Sequence, residues 1–249
     1  MIKTALVILL SIIFIFVIIS EKKENFEIKE RIPKIIIQTW KDNNIPEKYK
    51  TSIESVKKFN PDYKYIYMTD DDIEKFLKKN YPKYYNTYKK LPIKIQKIDF
   101  FRYIAIYHYG GFYLDLDMDV FKSFNTLLDY KCVFPIERKI KNCNLQRYKD
   151  LCKIKMNDMI GQYAFGAIPK DLFIKKLIDN IHNNINEIVK KYNSITTKNS
   201  YKNYVYQTTG PDYVTDQYFH NKKLVELLSN NEDHNFGEYA HHNTFGTWK

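Results

Sequence analysis

The sequence predicts an α/β fold with a mostly parallel central sheet, preceded by one N-terminal transmembrane helix. Three observations support this. Residues 32–120 alternate β-prone runs with helix-like stretches at the pace of strand–helix units. The 249-residue chain is long enough for one sizeable domain with a buried core. It also opens with an apolar run, Ala5–Ile19, broken only by Ser11.

The apolar run comes first in the chain. A helix from Thr4 to Ser20 spans about 26 Å, slightly short for an average bilayer but suited to a thin, ER- or Golgi-like membrane. A cleaved signal peptide needs small residues before the cut, and Ile18 and Ser20 fit that poorly. Residues 1–20 are therefore read as a signal anchor, 21–31 as a charged linker and 32–249 as the folded domain. Lys22, Lys23, Lys29 and Arg31 follow the anchor and only Lys3 precedes it, so the positive-inside bias alone keeps the domain cytoplasmic. The side of the membrane stays open at this point.

Lys34–Gln38 reads as a buried first strand, and Pro46–Phe59 as a helix. The Asn60-Pro61-Asp62 turn leads into a second strand, Tyr63–Met68. Thr69 to Asp72 cap a helix over Ile73–Asn80. A helix from Pro92 to Tyr109 ends at Gly110-Gly111, where positive φ is needed, and Phe112–Leu116 follows as a strand. Cys132–Ile136 reads as another strand, Glu137–Lys155 as an irregular excursion and Met159–Ile168 as strand or loop. An amphipathic helix is expected over Leu172–Lys191, a polar loop over Tyr192–Tyr204, and helices near Asp212–His220 and Lys222–Leu228. The tail from His241 to Trp248 shows no periodicity.

Net charge is +11, but lysine is favoured over arginine throughout and there is no arginine cluster or nucleic-acid motif. Most of this charge is read as solvated surface, with no nucleic-acid partner. Cys132, Cys143 and Cys152 lack metal-ligand spacing. Cys143 and Cys152 either close a small loop or remain free thiols.

The most informative stretch is Tyr109–Asp119, YGGFYLDLDMD. On an extended backbone Asp115, Asp117 and Asp119 point to one face. Carboxylates that close repel unless a hard divalent cation joins them. Asp115 and Asp117 are the expected ligands, with Asp119 a supporting carboxylate. Upstream, Asp99 and Arg102 share a helix face.

Together IPKIIIQTW (Ile32–Trp40), KIDFFRYIAIYHYGGFYLDLDMDV (Lys97–Val120), Thr209-Gly210-Pro211 and the terminal HH…TW resemble glycosyltransferase family 32, a DXD sugar-transferase group. The resemblance covers Arg31 to Lys249. It implies a GT-A-type nucleotide-diphospho-sugar transferase fold whose Asp115 and Asp117 hold a divalent metal, manganese or magnesium, against a UDP- or GDP-sugar. It further implies that Asp99, Arg102 and Tyr113 line the donor pocket, that Trp40 stacks on the base, that Trp248 closes over the diphosphate, and that His241 or His242 contacts the metal or a phosphate. The implied enzyme is a membrane-tethered hexosyltransferase, generally retaining, acting on a glycan, lipid or protein acceptor. The alternatives are a basic membrane-tethered module that binds glycan or lipid without catalysis, and an Asp-cluster phosphohydrolase.

Overall fold

A seven-stranded sheet runs through the domain. In the computed structural model, residues 30–144, 148–153, 156–229 and 233–246 are described. The expected anchor, most of the linker and Trp248 lie outside them. Among the described residues no helix is long and apolar enough to cross a membrane.

The strands are β1 (Ile35–Thr39), β2 (Lys64–Met68), β3 (Gly111–Leu114), β4 (Met118–Val120), β5 (Cys132–Lys139), β6 (Asp158–Ile160), β7 (Ala164–Ala167), β8 (Glu226–Leu228), β9 (Asn235–Phe236) and β10 (Ala240–His242). The helices are α1 (Lys50–Phe59), α2 (Asp70–Asn80), α3 (Pro82–Lys90), α4 (Lys94–Tyr109), α5 (Lys149–Lys153), α6 (Leu172–Asn183), α7 (Ile185–Tyr192), α8 (Lys198–Thr208) and α9 (Pro211–His220). The main sheet has the order β2-β1-β3-β7-β5-β6, with β8 also paired to β5. Strands β1, β2 and β3 are mutually parallel and β8 is parallel to β5, whereas β7 is antiparallel to both its neighbours and β6 to β5. Five of these strands thus run one way, and β6 and β7 run against them. The mostly parallel sheet expected from sequence is therefore found, with β7 as an antiparallel insertion at its centre.

The element that positions the site is α4. Its Phe100, Phe101, Tyr103, Ile104, Ala105 and Ile106 are all buried, so the helix is enclosed rather than amphipathic. Gly110 ends it at φ +66°, and a Cβ on Gly111 (φ +91°) would lie 2.4 Å from the Ile35 carbonyl oxygen. The glycine pair therefore lets the chain reverse and lets β3 press against β1. Thr69 caps α2 as expected, exchanging hydrogen bonds with Asp72.

Four expectations need correction. The helix expected over Leu172–Lys191 breaks at Asn184 into α6 and α7. The stretch read as a polar loop holds α8, capped by the Thr197 side chain. Its tyrosine-rich sequence reads as polar, but Tyr204 and Val205 are buried, so tertiary packing decides the helix. Lys222–Leu228 is a single 3-10 turn followed by β8, because Glu226–Leu228 pairs with Val133–Pro135. The tail begins within β10, which lies between β4 and β9 in a separate three-stranded sheet. Sequence reading also missed α3, whose start is marked by Pro82.

Cys143 and Cys152 form a disulfide, and Cys132 is a buried free thiol.

Candidate active site

The acidic motif does not lie on one straight strand. β3 ends at Leu114, the chain turns through Leu116 and Asp117, and β4 begins at Met118. The turn is closed by the Met118 amide donating to the Asp115 carbonyl (3.3 Å). The Asp115 amide donates to the Tyr163 carbonyl at 2.7 Å, and Gln38 Nε2 donates to the Asp115 carbonyl at 3.1 Å. Asp115 and Asp117 thus converge because the backbone folds around Leu116, not because strand alternation aligns them. Asp119, beyond the turn, instead accepts a hydrogen bond from Ser52 Oγ at 2.5 Å.

β10 brings the third group. It pairs antiparallel with β4, placing His242 opposite Met118 and His241 opposite Asp119. Alternation then sends the two histidines to different faces. His242 Nε2 lies 3.2 Å from Asp117 Oδ1, whereas His241 Nδ1 lies 2.7 Å from Asn235 Oδ1. One ligand atom each from Asp115, Asp117 and His242 falls within 4.8 Å of the others. The structure therefore brings His242, and not His241, to the acidic pair.

This donor set fits a divalent cation. Two carboxylate oxygens and one imidazole nitrogen are common ligands of divalent metals. The site also draws positive charge to one point. Burial pushes the Asp115 carboxyl up, Arg102 opposes this, and the Asp117 charge adds to it; the net shift is upward. Burial also pushes Asp117 up, but the hydrogen bond and charge of His242, with the Phe245 amide (2.9 Å), hold it below the usual carboxylate range. Burial works against a charged His242, yet its contact with Asp117 raises its pKa. The other ring nitrogen of His242, Nδ1, is buried without a hydrogen-bond partner.

Beside this group, Arg102 lies 3.2 Å from Asp99 and 3.5 Å from Asp115. Its guanidinium sits 4.6 Å from the Tyr113 ring centroid, and the Tyr113 hydroxyl donates to Asp115 at 2.9 Å. Asp99 and Arg102 are 1% and 3% exposed. Taking such a pair out of water costs several kcal/mol per ion, so stability alone is a weak reason for it here. Burial pushes the Asp99 carboxyl up to about 6 despite Arg102 and the Thr209 hydroxyl, which donates at 2.8 Å.

Asp99, Arg102, Tyr113, Asp115, Asp117 and His242 line one cavity of about 660 Å³, together with Trp40, Asp70 and Tyr206. That size suits a small-molecule ligand. Trp40 packs against Tyr49 with ring centroids 5.0 Å apart, and its Nε1 is buried without a partner. Of the residues expected from sequence, the structure thus assembles Trp40, Asp99, Arg102, Tyr113, Asp115, Asp117 and His242. It directs Asp119 and His241 elsewhere. Sequence reasoning missed Gln162 and Tyr163, which also line the cavity.

Residues 46–134 match the family described as a glycosyltransferase sugar-binding region containing a DXD motif. Over these residues the chain is similar to that DXD-containing glycosyltransferase family. Among curated proteins, the chain is 42% identical over 99 residues to inositol phosphoceramide mannosyltransferase 3 of Schizosaccharomyces pombe, covering 40% of this chain and 28% of that one. It is 32% identical over 148 residues to uncharacterized glycosyltransferase L373 of Acanthamoeba polyphaga mimivirus, covering 58% and 57%. The match thus spans about a quarter to just over half the length of these relatives. The fold is similar to that of the PaToxG glycosyltransferase, at a TM-score of 0.54 and 21% identity over 77% of this chain and 70% of that one. The matched region runs from the 3-10 turn Glu47–Tyr49 to the start of β5, so it contains α4, β3 and both aspartates of the turn. It stops short of His242.

Proposed function

We propose that this protein is a metal-dependent glycosyltransferase that moves a sugar, with retention of configuration, from a UDP- or GDP-sugar to a glycan, lipid or protein acceptor. The observation that carries the reading is the convergence of Asp115, Asp117 and His242 on the floor of a cavity that also holds the Asp99–Arg102 pair. Asp115, Asp117 and His242 hold the ion, Mn2+ or Mg2+. When bound, the ion supplies Lewis-acid stabilisation of the departing diphosphate. Arg102 presents a fixed positive charge next to Asp115, where the diphosphate develops charge. Asp99, held by Thr209, orients sugar or ribose hydroxyls. Trp40 offers an aromatic face to the base. The names of the curated relatives make a mannosyl donor the first to test.

The tether is assigned to residues 1–20. The disulfide between Cys143 and Cys152 favours an oxidising compartment and hence a lumenal or external domain, against the simple positive-inside count. A two-metal phosphohydrolase needs a second ligand group, and among the described residues Asp115, Asp117 and His242 form the one group of three. The direct test is Mn2+-stimulated hydrolysis of UDP- and GDP-sugars. It is expected in the unsubstituted protein and absent in Asp117→Ala; equal hydrolysis in both contradicts the proposal.

A further inference from the structure

The segment between β6 and β7, Gly161-Gln162-Tyr163, touches α4, the β3–β4 turn and β10. The Gln162 carbonyl accepts from Arg102 Nη1 at 3.0 Å. Its side-chain Nε2 donates to Asp99 Oδ1 at 3.2 Å, and its Oε1 accepts from the Tyr103 hydroxyl. That hydroxyl also lies 2.8 Å from the Thr209 carbonyl, which ties the amide to the end of α8. One residue further, the Tyr163 carbonyl accepts the Asp115 amide at 2.7 Å. The Tyr163 ring stacks on His242 with centroids 4.5 Å apart at 26°. The Tyr163 hydroxyl donates to the Asn235 carbonyl at 3.0 Å, fixing the ring against β9. Gly161 leaves the space this requires, since a Cβ there would lie 2.6 Å from Tyr163 Cε1.

The charged groups of the site come from α4, the β3–β4 turn that follows it closely, and β10, more than a hundred residues further along the chain. The β4–β10 ladder sets His242 against the turn, but α4 shares no ladder with either. Gln162 and Tyr163 meet all three within two residues. We infer that Gln162 and Tyr163 are positioning residues that hold the Asp99–Arg102 pair in register with the Asp115–Asp117–His242 group. Gln162 acts through Asp99 and Arg102, and Tyr163 through His242 and the Asp115 backbone. The inference rests on the functional reading above, and it divides the labour: the amide governs how donor is held, the ring how metal is held. Partners of metal-ligating groups typically change affinity or activity 10- to 100-fold when removed.

The test measures Mn2+ affinity of the protein alone by electron paramagnetic resonance, alongside kcat and KM for hydrolysis of UDP- and GDP-sugars. Tyr163→Leu is expected to weaken Mn2+ binding about tenfold, and Tyr163→Phe, which keeps the ring, to restore it to within about twofold. Gln162→Ala and the similarly shaped Gln162→Met are expected to raise donor KM about tenfold or more while Mn2+ affinity stays unchanged. Two Gln162 variants guard against one failing to fold, and cooperative thermal melting identifies the folded ones. Unchanged Mn2+ affinity in folded Tyr163→Leu overturns the inference. So does unchanged KM in a folded Gln162 variant. Should the unsubstituted protein bind Mn2+ but hydrolyse no donor, the functional reading fails, and the Tyr163 arm still decides the positioning role.

Discussion

The front of the site, β1 to β4 with α4, and the back, residues 161–163, 197–209 and 234–246, are built by different rules. At the front, functional residues are close in sequence: Asp99 and Arg102 are one helical turn apart, and Asp115 and Asp117 flank a single turn. At the back, the contributors come from separate segments, Gln162 and Tyr163 from one, Thr209 from another and His242 from a third. The front therefore carries the charge and the back sets where that charge is aimed. The matched family region, residues 46–134, ends within β5, so it covers β2 to β4 and α4 but neither β1 nor any of the back.

The sharpest way to break this contrast is to remove charge from the front. Asp117→Ala is expected to lower donor hydrolysis by roughly a thousandfold, of the order seen when a transition-state charge partner is lost. Initial rates at saturating Mn2+ check it. At the back, His242→Gln is expected to weaken Mn2+ binding at least about tenfold, and His241→Gln to leave it within about twofold. Equal effects of the two histidine variants would mean that the β4–β10 register does not select the ligand.

A third test concerns Asp99 in metal-free protein. Its carboxyl pKa is raised from 3.8 to about 6 by burial, so the folded state holds a proton that the unfolded state releases. Its contribution is fully present below about pH 4 and is lost as pH rises towards 6. Asp99→Asn removes that titration, so urea unfolding should show a flatter fall in stability across this window than in the parent. The smallest effect on the site is expected from the disulfide. Replacing Cys143 and Cys152 by serine should cost about 2 kcal/mol by thermal or urea unfolding, with Mn2+ affinity unchanged.

What could be read from sequence follows the same division. The DXD pair, the Asp99–Arg102 face and the Gly110-Gly111 break are local patterns, and the structure assembles each of them. Even there the stated reason was partly wrong, because a turn at Leu116 brings Asp115 and Asp117 together and excludes Asp119. The choice between His241 and His242 depends on a strand pairing more than a hundred residues long in sequence, which no local pattern encodes. Gln162 and Tyr163 carry no motif at all; their only hint was Gly161, needed for a ring folded back against the chain. The α8 helix was missed for a related reason, since its buried face depends on neighbours and not on its own composition.

One comparison bears most directly on the metal group: Mn2+ affinity of the unsubstituted protein, Asp117→Asn and Asp119→Asn, measured side by side. All three motif positions are acidic, but Asp119 bonds Ser52 instead of joining the group. Binding that collapses in Asp117→Asn and persists in Asp119→Asn is the expected result. Binding that survives in Asp117→Asn, or is lost equally in both, contradicts a site made by Asp115, Asp117 and His242.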